Sequence, residues 1–329
     1  MKYSIDFIKG LSALIEGDYT KASTHLKNAA LEKSDNIEAY FAAGLVFRKT
    51  KQFDRATYVL ESILRSSDLD ASTKRALTVE LGRNMFEAGN YTIAFSLLEM
   101  TSDKEGTLLR ARTLRKLNKF EEAANTYKMV AKSEKINLNN EIGYCFYRCA
   151  MDSTGYRQNK FIKTALKYIP TSRCISMMQI DSNIEAGKMS KALVDIERFL
   201  IAGLPASDED MIKFQSVYYD MKRTEELMRS VLKRINDGSD NPFFYSYAIS
   251  RFVQGDNKEK ANELIEKYTN DFGFNNNIAK ASLQIASNLM LEKLVEKTDF
   301  YKCSVCGTQH KVYTDACPSC QSFETLKTI

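Results

Sequence analysis

Gly44-Leu45…Gln52-Phe53-Asp54-Arg55-Ala56…Leu60…Ile63 decides the fold, because the chain says almost the same thing again and again. Thirty-four residues earlier stands Gly10-Leu11…Gly17-Asp18-Tyr19-Thr20-Lys21-Ala22…Leu26…Ala29. Later copies are Gly82…Gly89-Asn90-Tyr91-Thr92-Ile93-Ala94…Leu98, Asn118-Lys119-Phe120-Glu121-Glu122-Ala123, Gly187-Lys188-Met189-Ser190-Lys191-Ala192 and Gly255-Asp256-Asn257-Lys258-Glu259-Lys260-Ala261. Weaker copies fall around Phe161 and Leu227. The equivalent positions are therefore 22, 56, 94, 123, 161, 192, 227 and 261, with spacings from 29 to 38. Each copy reads as a helix, a tight turn and a second helix. Small Gly and Ala positions let paired helices approach closely, and Leu, Ile and aromatic positions fill the seam. A plain helical bundle is the competing reading, and a phased series of this length speaks against it.

These residues resemble the tetratricopeptide repeat. The expected fold class is all-α: a tetratricopeptide-repeat helical solenoid of about eight helix pairs over residues 1–275. An uninterrupted helix, Ile278–Lys297, forms a connecting or capping segment within 276–298, and a small metal knuckle occupies 299–329. In that knuckle Cys303-Ser304-Val305-Cys306-Gly307 and Cys317-Pro318-Ser319-Cys320 are two C-x-x-C pairs, the spacing a tetrahedral four-thiolate site requires. Accidental spacing or disulfides are the alternatives. Thr308–Tyr313 alternates enough to be a short strand. A segment this small cannot bury a core, so a metal supplies its folding energy. The short joint to the preceding helix predicts a knuckle docked on the helices, with Tyr301, Val312, Phe323 and Leu326 seeking a partner surface.

Composition narrows function. The 329 residues are 44% apolar with no Trp and a formal charge of +5, too mild an excess to call for nucleic acid. Three cysteines beyond the knuckle, with no regular spacing, suit a reducing compartment. The chain has no signal-peptide pattern and no long apolar run, and reads as soluble and cytosolic. No phosphate loop, nucleophile elbow or zinc-protease motif occurs, and a four-sulfur site leaves no open coordination position. His25 reads as a surface or seam residue and His310 as a non-ligand beside the thiolates. Cys145 and Cys149 share a helix face and, like Cys174, read as small seam residues, a thiol switch being the alternative. No small-molecule substrate is implied. A solenoid's working surface is its concave face, lined by the first helix of each repeat. Phe41, Leu45, Arg48, Arg83, Phe86, Arg112, Arg115, Tyr144, Tyr147 and Arg148 are phased to line it, a set suited to a carboxylate-bearing protein segment.

A repeat array ending in Tyr301-Lys302-Cys303-x-x-Cys306-Gly307…Cys317-Pro318-x-Cys320…Phe323…Leu326-Lys327 is similar to the lipopolysaccharide assembly protein B family. The resemblance implies a rubredoxin-like knuckle whose ligands are Cys303, Cys306, Cys317 and Cys320, holding one zinc or iron ion. It also implies a non-enzymatic adaptor at the cytoplasmic face of the Gram-negative inner membrane. There it would present the lipid A deacetylase LpxC to the protease FtsH and so restrain lipopolysaccharide synthesis, with a second copy of the chain as a further candidate partner. Family members begin with a transmembrane helix, and this chain shows none. A metal or redox sensor and a generic envelope-assembly scaffold are the alternative readings.

Overall fold

The computed structural model describes residues 4–32, 36–65, 69–204, 207–285, 295 and 301–328. Sixteen of its helices follow one another as pairs: α1 (Ile5–Glu16) and α2 (Tyr19–Glu32), α3 (Ile37–Lys49) and α4 (Phe53–Leu64), α5 (Ala71–Glu87) and α6 (Tyr91–Leu98), α7 (Lys104–Lys116) and α8 (Phe120–Glu134). The series continues with α9 (Asn139–Met151) and α10 (Gly155–Tyr168), α11 (Arg173–Glu185) and α12 (Met189–Ile201), α13 (Asp208–Asp220) and α14 (Thr224–Asn236), α15 (Pro242–Gln254) and α16 (Lys258–Phe272). The chain divides within α9 into two compact units, residues 1–146 and 147–329.

Every one of the eight phased positions falls on the second helix of its pair. Ala22, Ala56, Ala94, Ala123, Ala192, Leu227 and Ala261 are fully buried and Phe161 nearly so. The reason is visible in the first unit, where a glycine on the first helix faces a leucine on the second. A Cβ built on Gly82 would lie 2.8 Å from Cγ of the fully buried Leu98, and one on Gly10 2.7 Å from that of Leu26. Gly82→Ala is therefore expected to cost about 1–3 kcal/mol by overpacking, read as a lower urea midpoint. An unchanged midpoint would show that the α5–α6 seam has slack.

The turn inside each pair needs one residue in the left-handed region. Gly17, Gly89, Gly155 and Gly187 supply it in four pairs, but Lys51, Asn118, Lys222 and Asp256 take the same conformation, with φ between 55° and 59°. The repeat geometry thus imposes the turn even where no glycine marks it. At the entry ends, side chains satisfy free N–H groups: Asp70 accepts from Ser72 and Thr73, and Ser207 forms a reciprocal capping box with Asp210.

The expected uninterrupted helix over Ile278–Lys297 is not what the structure shows. α17 (Asn276–Ser282) ends early: the Ser282 hydroxyl donates to Ala279 O at 2.7 Å, and Gln284 and Ile285 N–H groups bond three residues back instead of four. The remainder of that expected helix lies outside the described residues, apart from Val295. No helix among the described residues is long and apolar enough to cross a membrane.

Candidate metal centre and its docking surface

The knuckle is a three-stranded antiparallel sheet of β1 (Tyr301–Cys303), β2 (Gln309–His310) and β3 (Leu326–Thr328), ordered β2-β1-β3. Each C-x-x-C pair sits in a turn of the same design. Gly307 N–H donates to Cys303 O at 2.9 Å and Gln321 N–H to Cys317 O at 2.7 Å, and Gly307 and Gln321 both adopt positive φ. The chain therefore folds each pair of sulfurs to one side.

The two turns face each other. All four Sγ atoms lie within 4.8 Å of one another, with Cys303–Cys320 and Cys306–Cys317 separations of 3.7 Å. A tetrahedron with metal–sulfur bonds of about 2.3 Å has edges of about 3.8 Å. Hydrogen-bonding groups surround the sulfurs: Val305 N–H donates to Cys303 at 3.4 Å, and hydroxyls lie close by, Thr325 Oγ1 at 3.1 Å from Cys303, Thr308 Oγ1 at 3.3 Å from Cys306 and Ser322 Oγ at 3.3 Å from Cys320. His310 Nε2 lies 3.5 Å from Cys317 Sγ, beside the four-sulfur cluster and outside it. Burial works against ionising Cys303, but hydrogen bonds from Thr325 and from backbone N–H groups outweigh it and hold the thiol at about 5. Burial pushes Cys317 up to about 11; a cation among the sulfurs would reverse that balance. Charge, distance and donor set all fit a thiolate-bound metal ion.

The knuckle is docked. Tyr301, Cys303, Cys317 and Leu326 share one hydrophobic core with helices of the second unit. Val312 departs from expectation: it is exposed, on the solvent side of the knuckle. Two carboxylates complete the attachment. Asp315 accepts from the Tyr147 hydroxyl of α9 and lies 2.6 Å from Cys174 Sγ. Glu324 accepts from Ser172 Oγ and from Cys174 N–H, both at 2.8 Å, at the first turn of α11. The Tyr147 ring packs on Phe323, and the Arg173 guanidinium stacks 4.5 Å over Tyr313. Burial, reinforced by the adjoining carboxylates, pushes the Cys174 thiol and the Tyr147 hydroxyl far up, so both keep their protons. Asp315 and Glu324 went unnoticed in the sequence because a partner some 150 residues away leaves no periodic trace.

Residues phased to a concave face are placed as follows. Arg48 is only 9% exposed, with NH1 2.8 Å from Glu80 and Nε 3.8 Å from Glu87. Arg83 pairs with Glu80 and Glu105. Phe41 and Phe86 are half-buried against the core around Leu77 and Leu81, and Leu45 is half-buried. Arg115 lies 4.6 Å over the Tyr144 ring, and Arg112 is exposed. Arg148 is half-buried, while Tyr147 lies buried beneath the knuckle. Glu80, Glu87 and Glu105 thus pair with Arg48 and Arg83, a pairing the sequence reading did not include. Cys145 and Cys174 are buried and Cys149 half-buried. His25 Nδ1 lies 2.6 Å from Asp6, at the surface seam between α1 and α2.

No family model matches the chain. Lipopolysaccharide assembly protein B of Escherichia coli strain K12 is 22% identical, the alignment covering 100% of this chain and 90% of that protein. The protein of that name from Haemophilus influenzae is 20% identical with the same coverage. A tetratricopeptide repeat protein from Parabacteroides merdae aligns over 80% of this chain and 97% of its own at a TM-score of 0.42 and 14% identity. Helix pairs with buried alanines at a fixed phase, four clustered cysteines at the C-terminal end and similarity over the full length coincide: this is a tetratricopeptide-repeat chain that resembles lipopolysaccharide assembly protein B from end to end.

Proposed function

We propose that the chain is a non-enzymatic adaptor that restrains lipopolysaccharide synthesis by presenting the deacetylase LpxC to the protease FtsH at the cytoplasmic face of the inner membrane. The observation that carries this reading is full-length similarity to a lipopolysaccharide assembly protein in a chain that also retains the docked four-cysteine knuckle. The organisation proposed is a repeat region over 1–275, a connecting segment over 276–298 and a metal domain over 299–329. Cys303, Cys306, Cys317 and Cys320 hold one ion, with zinc favoured over iron in the isolated protein. Thiolates accept both, and availability decides between them. Bound there, the metal supplies cross-linking and no open coordination site. Phe41, Leu45, Arg83, Phe86, Arg112, Arg115, Tyr144 and Arg148 are proposed to face a protein partner, with Arg48 bracing the row from beneath.

Removing the gene from its source cell tests the assignment. LpxC is expected to persist several-fold longer after translation is stopped, and lipopolysaccharide to rise. Unchanged turnover of the deacetylase would overturn the adaptor reading.

A further inference from the structure

Within the second unit, α10 and α12 flank α11 and leave a groove of about 1370 Å³. Its floor is unusual for a helix in a stack. α11 buries Gln179, Ser182 and Asn183, spaced three and one apart on one face, where apolar residues would normally pack. Ser182 Oγ is 3.3 Å from Asn159 Oδ1, and Asn183 donates to Asp195 at 2.8 Å. Gln179 lines the groove and is only 9% exposed. An amide on the floor of a recess can pair with a polar group that enters it.

The walls are basic. Lys160, Lys163 and Lys167 come from α10, Lys188 and Lys191 from the start of α12, and Arg198 from one turn beyond its middle. Against them stand two acids, Glu185 and Asp195, and Asp195 is already held by Asn183 and Arg198. Four net positive charges thus border one recess of a chain whose whole excess is +5.

We infer that this groove binds an extended, acidic polypeptide segment. A peptide backbone offers the N–H and C=O groups that the Gln179 and Asn159 amides can pair with, and its Asp or Glu side chains meet the lysine walls. The 14-residue α10 is about 21 Å long, the span of roughly six extended residues. The recess, as opposed to a flat basic face, disfavours a membrane surface. Among the described residues Tyr156 is the one aromatic lining it, too few for a base-stacking track. The inference rests on the protein-scaffold reading above and gives one partner its chemical character.

The test is fluorescence anisotropy of the purified full chain with a labelled peptide of alternating Glu and Gly, about eight residues long. A Gln/Gly peptide and vesicles containing anionic phospholipid serve as the other probes. Binding of the acidic peptide is expected to weaken at least about tenfold in the triple variant Lys160→Glu, Lys163→Glu, Lys191→Glu. A several-fold loss is expected in Gln179→Ala, retained at raised salt. The control triple Lys9→Glu, Lys27→Glu, Lys74→Glu, at exposed positions of the first unit, should bind as the parent does. Equal losses in both triples would mean unspecific attraction and overturn the inference. So would no peptide binding, or cosedimentation with vesicles lost through the same three lysines while peptide affinity is unaffected. The assay uses no deacetylase, so its failure is distinct from failure of the adaptor assignment.

Discussion

Cys317→Ser, or exhaustive chelation, should loosen more than the knuckle: amide exchange at Cys174 and Ile175, at the start of α11, should accelerate together with that of residues 301–328. The purified chain is expected to carry about one equivalent of metal by elemental analysis, and less than half an equivalent would remove the premise. The coupling follows from shared structure. Cys303 and Cys317 are buried in the same apolar cluster as Met211, Phe214 and Phe244 of the second unit. Glu324, one turn beyond Cys320, bonds Ser172 Oγ and Cys174 N–H. Metal binding supplies about 10–16 kcal/mol in small zinc-dependent domains. A three-stranded sheet with strands of two or three residues has no comparable substitute. Once the sulfurs lose their common partner, both carboxylate anchors lose their fixed positions. Exchange confined to residues beyond 301 would show that docking survives without the metal.

A comparably large effect is expected in the first unit. Arg48→Glu should destabilise it by about 3–5 kcal/mol, because the change places a third carboxylate against Glu80 and Glu87 at a nearly enclosed site. For a unit of this size that corresponds to a fall in Tm of roughly 6–20 °C. The sequence reading set Arg48 among the residues lining an open concave face, where reversing an exposed charge would leave a fold intact. Burial overturns that expectation for Arg48. Arg112→Glu, at an exposed site, should stay within about 0.5 kcal/mol of the parent. If thermal unfolding of the two variants is indistinguishable, the Arg48–Glu80–Glu87 cluster contributes nothing particular.

The legible and illegible parts of this molecule differ for physical reasons. Ala56 or Ala123 could be placed on the second helix of a pair because close helix packing forces a small residue at a fixed phase. Paired cysteines could be assigned to one site because a tight turn fixes their geometry locally. Lys51 and Lys222 hid their left-handed turns, since lysine carries no conformational signature. The end of α17 at Ser282 was hidden for a related reason: helix periodicity continues past the point where a hydroxyl and three-residue bonding stop the helix. Glu80 escaped notice beside Arg48 because pairing between neighbouring repeats depends on how helices are stacked. The groove floor at Gln179 was missed because a lone glutamine in a helix is ordinary until its burial is known.

The clasp between Glu324 and the first turn of α11 also sets a timetable. The two halves of that clasp are 150 residues apart, and a ribosome adding about 5–20 residues per second makes them roughly 8–30 s apart. Throughout that interval α11 begins with Ser172 alone to cap it, and Tyr147 and Cys174 face water where Asp315 will later sit. The nascent helical stack thus has an open seat until the later-made knuckle docks. With a metal held at the four cysteines as proposed, its supply during synthesis, and not only afterwards, would govern how long newly made chains stay exposed to proteolysis.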